Sequence, residues 1–206
     1  YGMSGQVFHG PSLKVSPGFE VVQILERSKE LSRKMFPEAE IVKSFDEILK
    51  NPDIELVVVN TPDSLHFEMA RQALISGKHV VVEKPLTQKS QQAQELLELA
   101  QKKDLHLIPY QNRRFDGDFL TVQNVLADGS LGRLVEFESH YDRYRKSIAP
   151  GTWKEEAGEH SGVLYNLGSH MVDQAFVLFG IPLAVDAHLK IVRSGGEVAD
   201  YYDIRL

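Results

Sequence analysis

The chain has 206 residues, 42% apolar and 9% aromatic, enough to enclose a hydrophobic core and to exclude global disorder. Its 23 basic and 29 acidic side chains leave a net charge of −6, so there is no general field for holding a nucleic-acid backbone. Cysteine is absent, which excludes disulfide scaffolds, thiol catalysis and thiolate metal sites.

In chain order, residues 19–25 (FEVVQIL) read as a strand and 28–35 as a polar helix stopped by Pro37. A brief strand at 39–42 and a helix at 45–49 follow. Residues 56–60 (LVVVN) form an unbroken apolar run, the pattern of a strand buried on both faces. An amphipathic helix at 63–76 is closed by Gly77, and 79–82 is another buried strand. A long helix at 88–103 leads to a strand at 105–110. Strands separated by helices in this way predict a Rossmann-type, doubly wound parallel sheet with right-handed crossovers over residues 1–112.

Beyond Arg114 the texture changes. A helix at 116–126 ends at Gly129, and 134–144 (LVEFESHYDRY) alternates apolar and polar like a half-exposed strand. A loop rich in glycine and glutamate spans 150–162, and a helix spans 165–179. Strands at 184–192 and 201–206 finish the chain. This predicts a second, α+β domain over 113–206 with an open, mostly antiparallel sheet. Both ends look cut: the chain opens inside a turn signal and stops within an apparent strand. No apolar run approaches the ~18 residues of a membrane span. The N-terminus has no charged-then-apolar leader, so a soluble, cytoplasmic protein is expected.

Chemistry-bearing residues gather at predicted strand ends. Gly2-Met3-Ser4-Gly5 has the spacing of the last two glycines in G-x-G-x-x-G. In that motif one glycine admits a pyrophosphate and the next lets a helix pack on the sheet. A ribose contact is expected about 20 residues further on. Glu26 and Arg27 stand there: a carboxylate suits the NAD diol, an arginine the NADP 2′-phosphate, and a pair of solvated charges is the third reading. Asn60-Thr61-Pro62 and Glu83-Lys84-Pro85 follow two buried strands, where ligands of open α/β sheets bind. Near a nicotinamide, the Lys84 ammonium is suited to hydrogen-bond a substrate oxygen. Asn166, His170 and Asp173 share one helix face, and a histidine there can take a hydroxyl proton near neutral pH. None of the eight histidines forms an H-x-x-x-H pair, so no metal site is expected. The basic and aromatic stretch 141–146 reads as strand surface, a subunit contact or a substrate rim.

Together these residues resemble the glucose–fructose oxidoreductase / inositol dehydrogenase (Gfo/Idh/MocA) family. The likeness runs through Phe8-His9-x-Pro11, Asn60-Thr61-Pro62, His66, Gly77-Lys78-His79-Val80, Glu83-Lys84-Pro85, Asn112-Arg113-Arg114 and Gly168-Ser169-His170. Within the family it is most similar to scyllo-inositol-type and related sugar dehydrogenases. The resemblance implies an NAD(P)-dependent oxidoreductase acting on a secondary hydroxyl of a sugar or cyclic polyol. Lys84 would contact substrate and nicotinamide, and His170 would be the acid/base. Gly2, Met3, Ser4, Gly5, Glu26, Arg27, Asn60, Thr61, Pro62, His66, Glu83 and Lys84 would face the cofactor. Arg114, Trp153, Lys154, Asn166, His170 and Asp173 would face the substrate. Where family members commonly carry an aspartate four residues before that histidine, this chain has Asn166, which can hydrogen-bond an imidazolium but not neutralise it. A homo-oligomer is implied, with no nucleic-acid or membrane partner. The same residues also suit an NAD-dependent glycosidase of that family, or a non-catalytic NAD(P)-binding regulator.

Overall fold

The computed structural model describes residues 1–148, 155, 158 and 161–206. Two compact units emerge, Tyr1–Tyr110 and Gln111–Leu206.

In the first unit a wide helical turn, Gly5–His9, runs into α1 (Gly10–Val15). β1 (Gln23–Leu25) then pairs in parallel with β2 (Glu40–Val42). Backbone bonds from Glu40 N–H to the Val22 carbonyl (2.9 Å) and from Glu26 N–H to the Val42 carbonyl (3.1 Å) extend that pair at either end. The helix expected at 28–35 is reduced to a 3₁₀ turn, Leu31–Lys34. The Glu26 carboxylate accepts the Leu31 and Ser32 N–H groups, which fixes where that turn begins.

α2 (Phe45–Lys50) opens with a reciprocal capping box between Ser44 and Glu47. β3 (Leu56–Val59), α3 (His66–Ile75), β4 (His79–Glu83), α4 (Ser90–Lys102) and β5 (Leu107–Tyr110) follow, and the three strands pair in parallel in the order β3-β4-β5. This is the expected Rossmann-like sheet, with β1–β2 as a separate pair. Val57, Val59, Val80 and Val82 pack against Ala70, Ala73 and Leu74 of α3 and Leu96 of α4. Leu74 and Leu96 are fully buried, so truncating either to alanine would cost about 2–5 kcal/mol. The LVVV run is thus fully buried on one face only. Leu56 and Val58 stay half-covered, because α3 and α4 close over the opposite side.

α3 ends as its glycine predicts. Gly77 takes φ +79°, its N–H reaches the Leu74 carbonyl (3.0 Å), and Lys78 N–H reaches the Ala73 carbonyl (3.0 Å). The buried Lys78 ammonium then donates to the carbonyls of Asn51 (2.7 Å) and Ile54 (2.8 Å), fastening the turn after α2 to the start of β4. Burial lowers the pKa of that ammonium.

The second unit holds α5 (Gly117–Ala127), a π-helical turn at Leu164–Gly168 that continues as α6 (Ser169–Phe179), and an antiparallel pair, β6 (Asp186–Lys190) and β7 (Tyr201–Arg205). The antiparallel pairing is as expected. The strand expected at 134–144 does not form: among the described residues nothing pairs with it in a ladder. Alternation specifies an apolar side but no neighbour, and a strand needs both. Phe137 packs instead against Phe179 (ring centroids 5.2 Å), and Tyr141 lies under the Arg113 guanidinium (5.4 Å). Between β6 and β7, Arg193 binds Asp200 (Nε–Oδ2 2.6 Å) and, through its other nitrogens, Glu155 (2.7 and 3.0 Å). Gly162 sits at φ +91°, where a Cβ would lie 2.6 Å from the Ala199 carbonyl oxygen; Val163 N–H donates to that same oxygen (2.8 Å). That contact pins the start of the π turn to the segment before β7.

Candidate active site

In the first unit, Glu83 ends β4 and acts as a hub. Its Oε1 accepts the Ser4 hydroxyl and lies 3.0 Å from His9 Nε2, and its Oε2 accepts the Lys84 backbone N–H (3.1 Å). The His9 ring in turn stacks on Tyr110 of β5, 4.1 Å between centroids. The glycine turn, the first helix and the lysine-bearing turn are therefore joined through one carboxylate. Burial pushes the Glu83 pKa up. Hydrogen bonds from His9 and Ser4, the charge of His9 and the Lys84 N–H outweigh it, and hold the carboxyl below the ordinary glutamate value. Burial, and then the Glu83 charge, push the Tyr110 phenol up.

His66 makes the second tie. It is 1% exposed, with Nδ1 2.7 Å from the Pro85 carbonyl oxygen and Nε2 2.9 Å from that of Thr61. A neutral ring donates to one of these oxygens and an imidazolium to both. His66 thus spans the turns after β3 and β4, and its ring is spent on them. The Lys84–Pro85 peptide between these contacts is cis.

The two glycines of the turn differ in the room around them. A Cβ on Gly5 would meet Asn60 Nδ2 at 3.1 Å and the Tyr1 ring at 3.0 Å, whereas one on Gly2 would meet nothing within 4 Å. Gly5 packs against Asn60 at the end of β3, and Gly2 stands open. Met3 is largely exposed beside it. At the end of β1, Glu26 is turned inward at 5% exposure, its carboxylate held by Leu31 N–H (3.1 Å), Ser32 N–H (3.4 Å) and the Ser32 hydroxyl (3.0 Å). Arg27 is exposed.

In the second unit, Asn166 lies in the π turn and His170, 6% exposed, in the first turn of α6. π turns recur at functional positions in helices. Asp173 binds Arg114 through two parallel bonds, Nε–Oδ2 2.8 Å and Nη2–Oδ1 2.6 Å, and Gln174 donates to the Arg113 carbonyl (3.1 Å). The hydrogen bonds to Asp173 and its charge, set against burial, push the Arg114 pKa up. The Asp173 charge is thus already matched by a guanidinium. Trp153 and Lys154 lie outside the described residues. Sequence reasoning missed the roles of Ser4, His9 and Tyr110; no local pattern points from position 4 or 9 to position 83. Among the described residues no group of three or more His, Asp or Glu side chains could hold a metal ion, and no helix is long and apolar enough to cross a membrane.

Three parallel strands, β3-β4-β5, linked by helices that pack on them, make a Rossmann-like fold. Residues 1–111 match the model of the oxidoreductase family with an NAD-binding Rossmann fold, and residues 119–206 match the GFO/IDH/MocA C-terminal domain. The chain belongs to the GFO/IDH/MocA oxidoreductase family. It is 41% identical over its whole length to the scyllo-inositol 2-dehydrogenase (NADP(+)) IolW of Bacillus subtilis, covering 57% of that protein. It is 46% identical, again over its whole length, to the uncharacterised oxidoreductase C115.03 of Schizosaccharomyces pombe, covering 58%. Among solved structures, a putative oxidoreductase from Bacteroides fragilis superposes with TM-score 0.90 at 54% identity, over 99% of this chain and 57% of that one. The chain therefore spans somewhat more than half the length of these relatives.

Proposed function

We propose that this chain is part of an NAD(P)-dependent dehydrogenase acting on a secondary hydroxyl of a sugar or cyclic polyol of the inositol kind. The observation that carries the reading is the Glu83 hub: one half-buried carboxylate joins the glycine turn, through Ser4, to the backbone of Lys84. The fold thereby commits its anion-accepting turn and its lysine to a fixed mutual geometry. The polyol class is supported by the likeness to scyllo-inositol 2-dehydrogenase.

When bound, nicotinamide supplies the hydride acceptor or donor. The protein's share is position and proton transfer. The Lys84 ammonium holds the substrate oxygen and stabilises negative charge growing on it. His170 takes the hydroxyl proton as the carbinol carbon gives up hydride, and Asn166 orients the ring from the preceding turn. Asn60, Thr61 and Pro62 shape the cofactor side. Arg114 and Asp173, fixed to each other, face the substrate. A homo-oligomer in the cytoplasm belongs to the same reading.

The test is a spectrophotometric screen of inositols and aldoses with NAD and with NADP. Lys84→Ala and His170→Ala should each lower turnover by about 10²-fold or more while nucleotide binding stays within a few-fold. Wild-type rates in both variants would refute the assignment.

A further inference from the structure

Phe8-His9-x-Pro11 follows the glycine turn, and its histidine has no part in the proton transfer assigned above. Pro11 stands in the first turn of α1, where its missing N–H costs nothing. His9 is buried, and three contacts fix it. Its backbone closes the wide turn Gly5–His9. The next residue, Gly10, is packed so closely that a Cβ there would lie 2.6 Å from the Gly5 carbonyl oxygen and 2.8 Å from Met35 Sδ. The ring stacks on Tyr110 at 4.1 Å, and Nε2 lies 3.0 Å from Glu83 Oε1. An ionised carboxylate only accepts, so Nε2 is the donor in either charge state of the ring.

The carboxylate so held is the one that takes the Ser4 hydroxyl and the Lys84 backbone N–H. Burial works against its charge, and the His9 hydrogen bond is foremost among the contacts that outweigh burial. Tyr110, pushed up by burial and then by the Glu83 charge, stays a neutral phenol at pH 7. The stacked pair therefore meets Glu83 with the imidazole as its donor and its one group able to carry positive charge. With that donor gone, Oε1 would keep the Ser4 hydroxyl alone, and both the charge and the aim of the carboxylate would weaken.

We propose that His9 is a positioning residue for the dinucleotide: its Nε2–H aims Glu83, and Glu83 in turn sets Ser4 of the glycine turn and the Lys84 backbone for the cofactor. This rests on the dehydrogenase reading above and adds to it a residue that acts through Glu83 rather than on the nucleotide itself. Stack and close-packed helix start hold the ring, and the ring holds the carboxylate.

The test is a double-mutant cycle on nucleotide affinity, measured by calorimetry with NADH and NADPH at pH 7 on His9→Phe, Glu83→Gln and the two combined, each shown to be folded by circular dichroism. His9→Phe keeps a ring for the Tyr110 stack and removes the donor; His9→Gln keeps a donor and removes the ring. His9→Ala takes the place of His9→Phe should the latter not fold. For whichever nucleotide the wild type binds, loss of the donor should weaken affinity by about 10-fold, the scale of one hydrogen bond to a charged group. His9→Gln should stay within about 3-fold of the wild type, even where its melting temperature drops. In the Glu83→Gln background, His9→Phe should weaken binding by less than about 2-fold further, because nothing is left for it to aim. A residue that only stabilised the fold would lower the melting temperature of both His9 variants and leave the affinity of the folded protein unchanged. Wild-type affinity in His9→Phe, no rescue by glutamine, or full additivity with Glu83→Gln overturns this proposal and leaves the dehydrogenase reading standing. If the wild type binds neither nucleotide, both fall.

Discussion

Replacing Glu83 by glutamine tests the hub directly, because it keeps the shape and removes the charge. The carboxylate takes Ser4 and His9 on one oxygen and the Lys84 N–H on the other. Hydrogen bonds to an ionised acceptor contribute about 1.5–3 kcal/mol each, roughly twice a neutral bond. An amide has one acceptor oxygen. Turned toward Ser4 and His9, it points its NH₂ at the Lys84 N–H and loses that bond; turned the other way, it asks Ser4 and His9 to become acceptors. One bond and the charge assistance of the rest are lost in either pose, a cost of about 2–3 kcal/mol at pH 7. With an m-value of about 1–3 kcal/mol/M, the urea midpoint of the first unit, followed by far-UV circular dichroism, should fall by about 1 M or more. The pH dependence carries a definite sign. Because the native Glu83 pKa is depressed, its contribution is fully present above the ordinary glutamate value of about 4.3 and is lost as pH falls through the lower native value. The gap between wild type and Glu83→Gln should therefore narrow as pH falls below the ordinary glutamate value. A midpoint equal to wild type at pH 7, or a gap that does not narrow below pH 4, would refute the hub.

Two other substitutions follow from the same geometry. Gly162→Ala places a Cβ 2.6 Å from a backbone oxygen at φ +91°, so strain of about 1–3 kcal/mol or more should lower the melting temperature of the second unit; an unchanged scan would show that the segment before β7 yields freely. His66→Ala removes the ring that spans the carbonyls of Thr61 and Pro85, at a cost of about 1–3 kcal/mol for the donor lost. It should lower the urea midpoint and speed amide exchange near residues 61–66, and wild-type behaviour in both measurements would mean that the imidazole spans those turns without holding them.

What the sequence displays is what short stretches of chain decide. The valine runs of β3 and β4 announce strands, Gly77 announces a helix end, and the turns after Asn60 and Glu83 announce themselves as strand-end loops. These features depend on periodicity, backbone freedom and adjacency. The wiring of the site does not. Ser4 and His9 reach Glu83 across more than 70 residues, and Arg114 meets Asp173 across 59. Nothing in the residue types chooses Glu83 over the other acidic side chains. Glu26 shows the converse: its position is legible as a ribose contact, but the direction of its carboxylate depends on where Ser32 N–H falls in a turn that starts three residues later than the helical pattern suggests. The alternation at 134–144 fails for a related reason, since a ladder is a property of two segments and the sequence describes one.

The wide turns at Gly5–His9 and Leu164–Gly168 each fit an extra residue into a helix that then resumes ordinary pitch. Such an inserted residue rotates everything downstream about the helix axis without altering composition. A relative one residue shorter at either place would aim its Ser12 or His170 counterpart in a new direction even if every neighbouring letter agreed. Single-residue gaps at those two stretches should therefore be treated as changes of aim, and a shared motif on either side of such a gap is no warrant for a shared geometry.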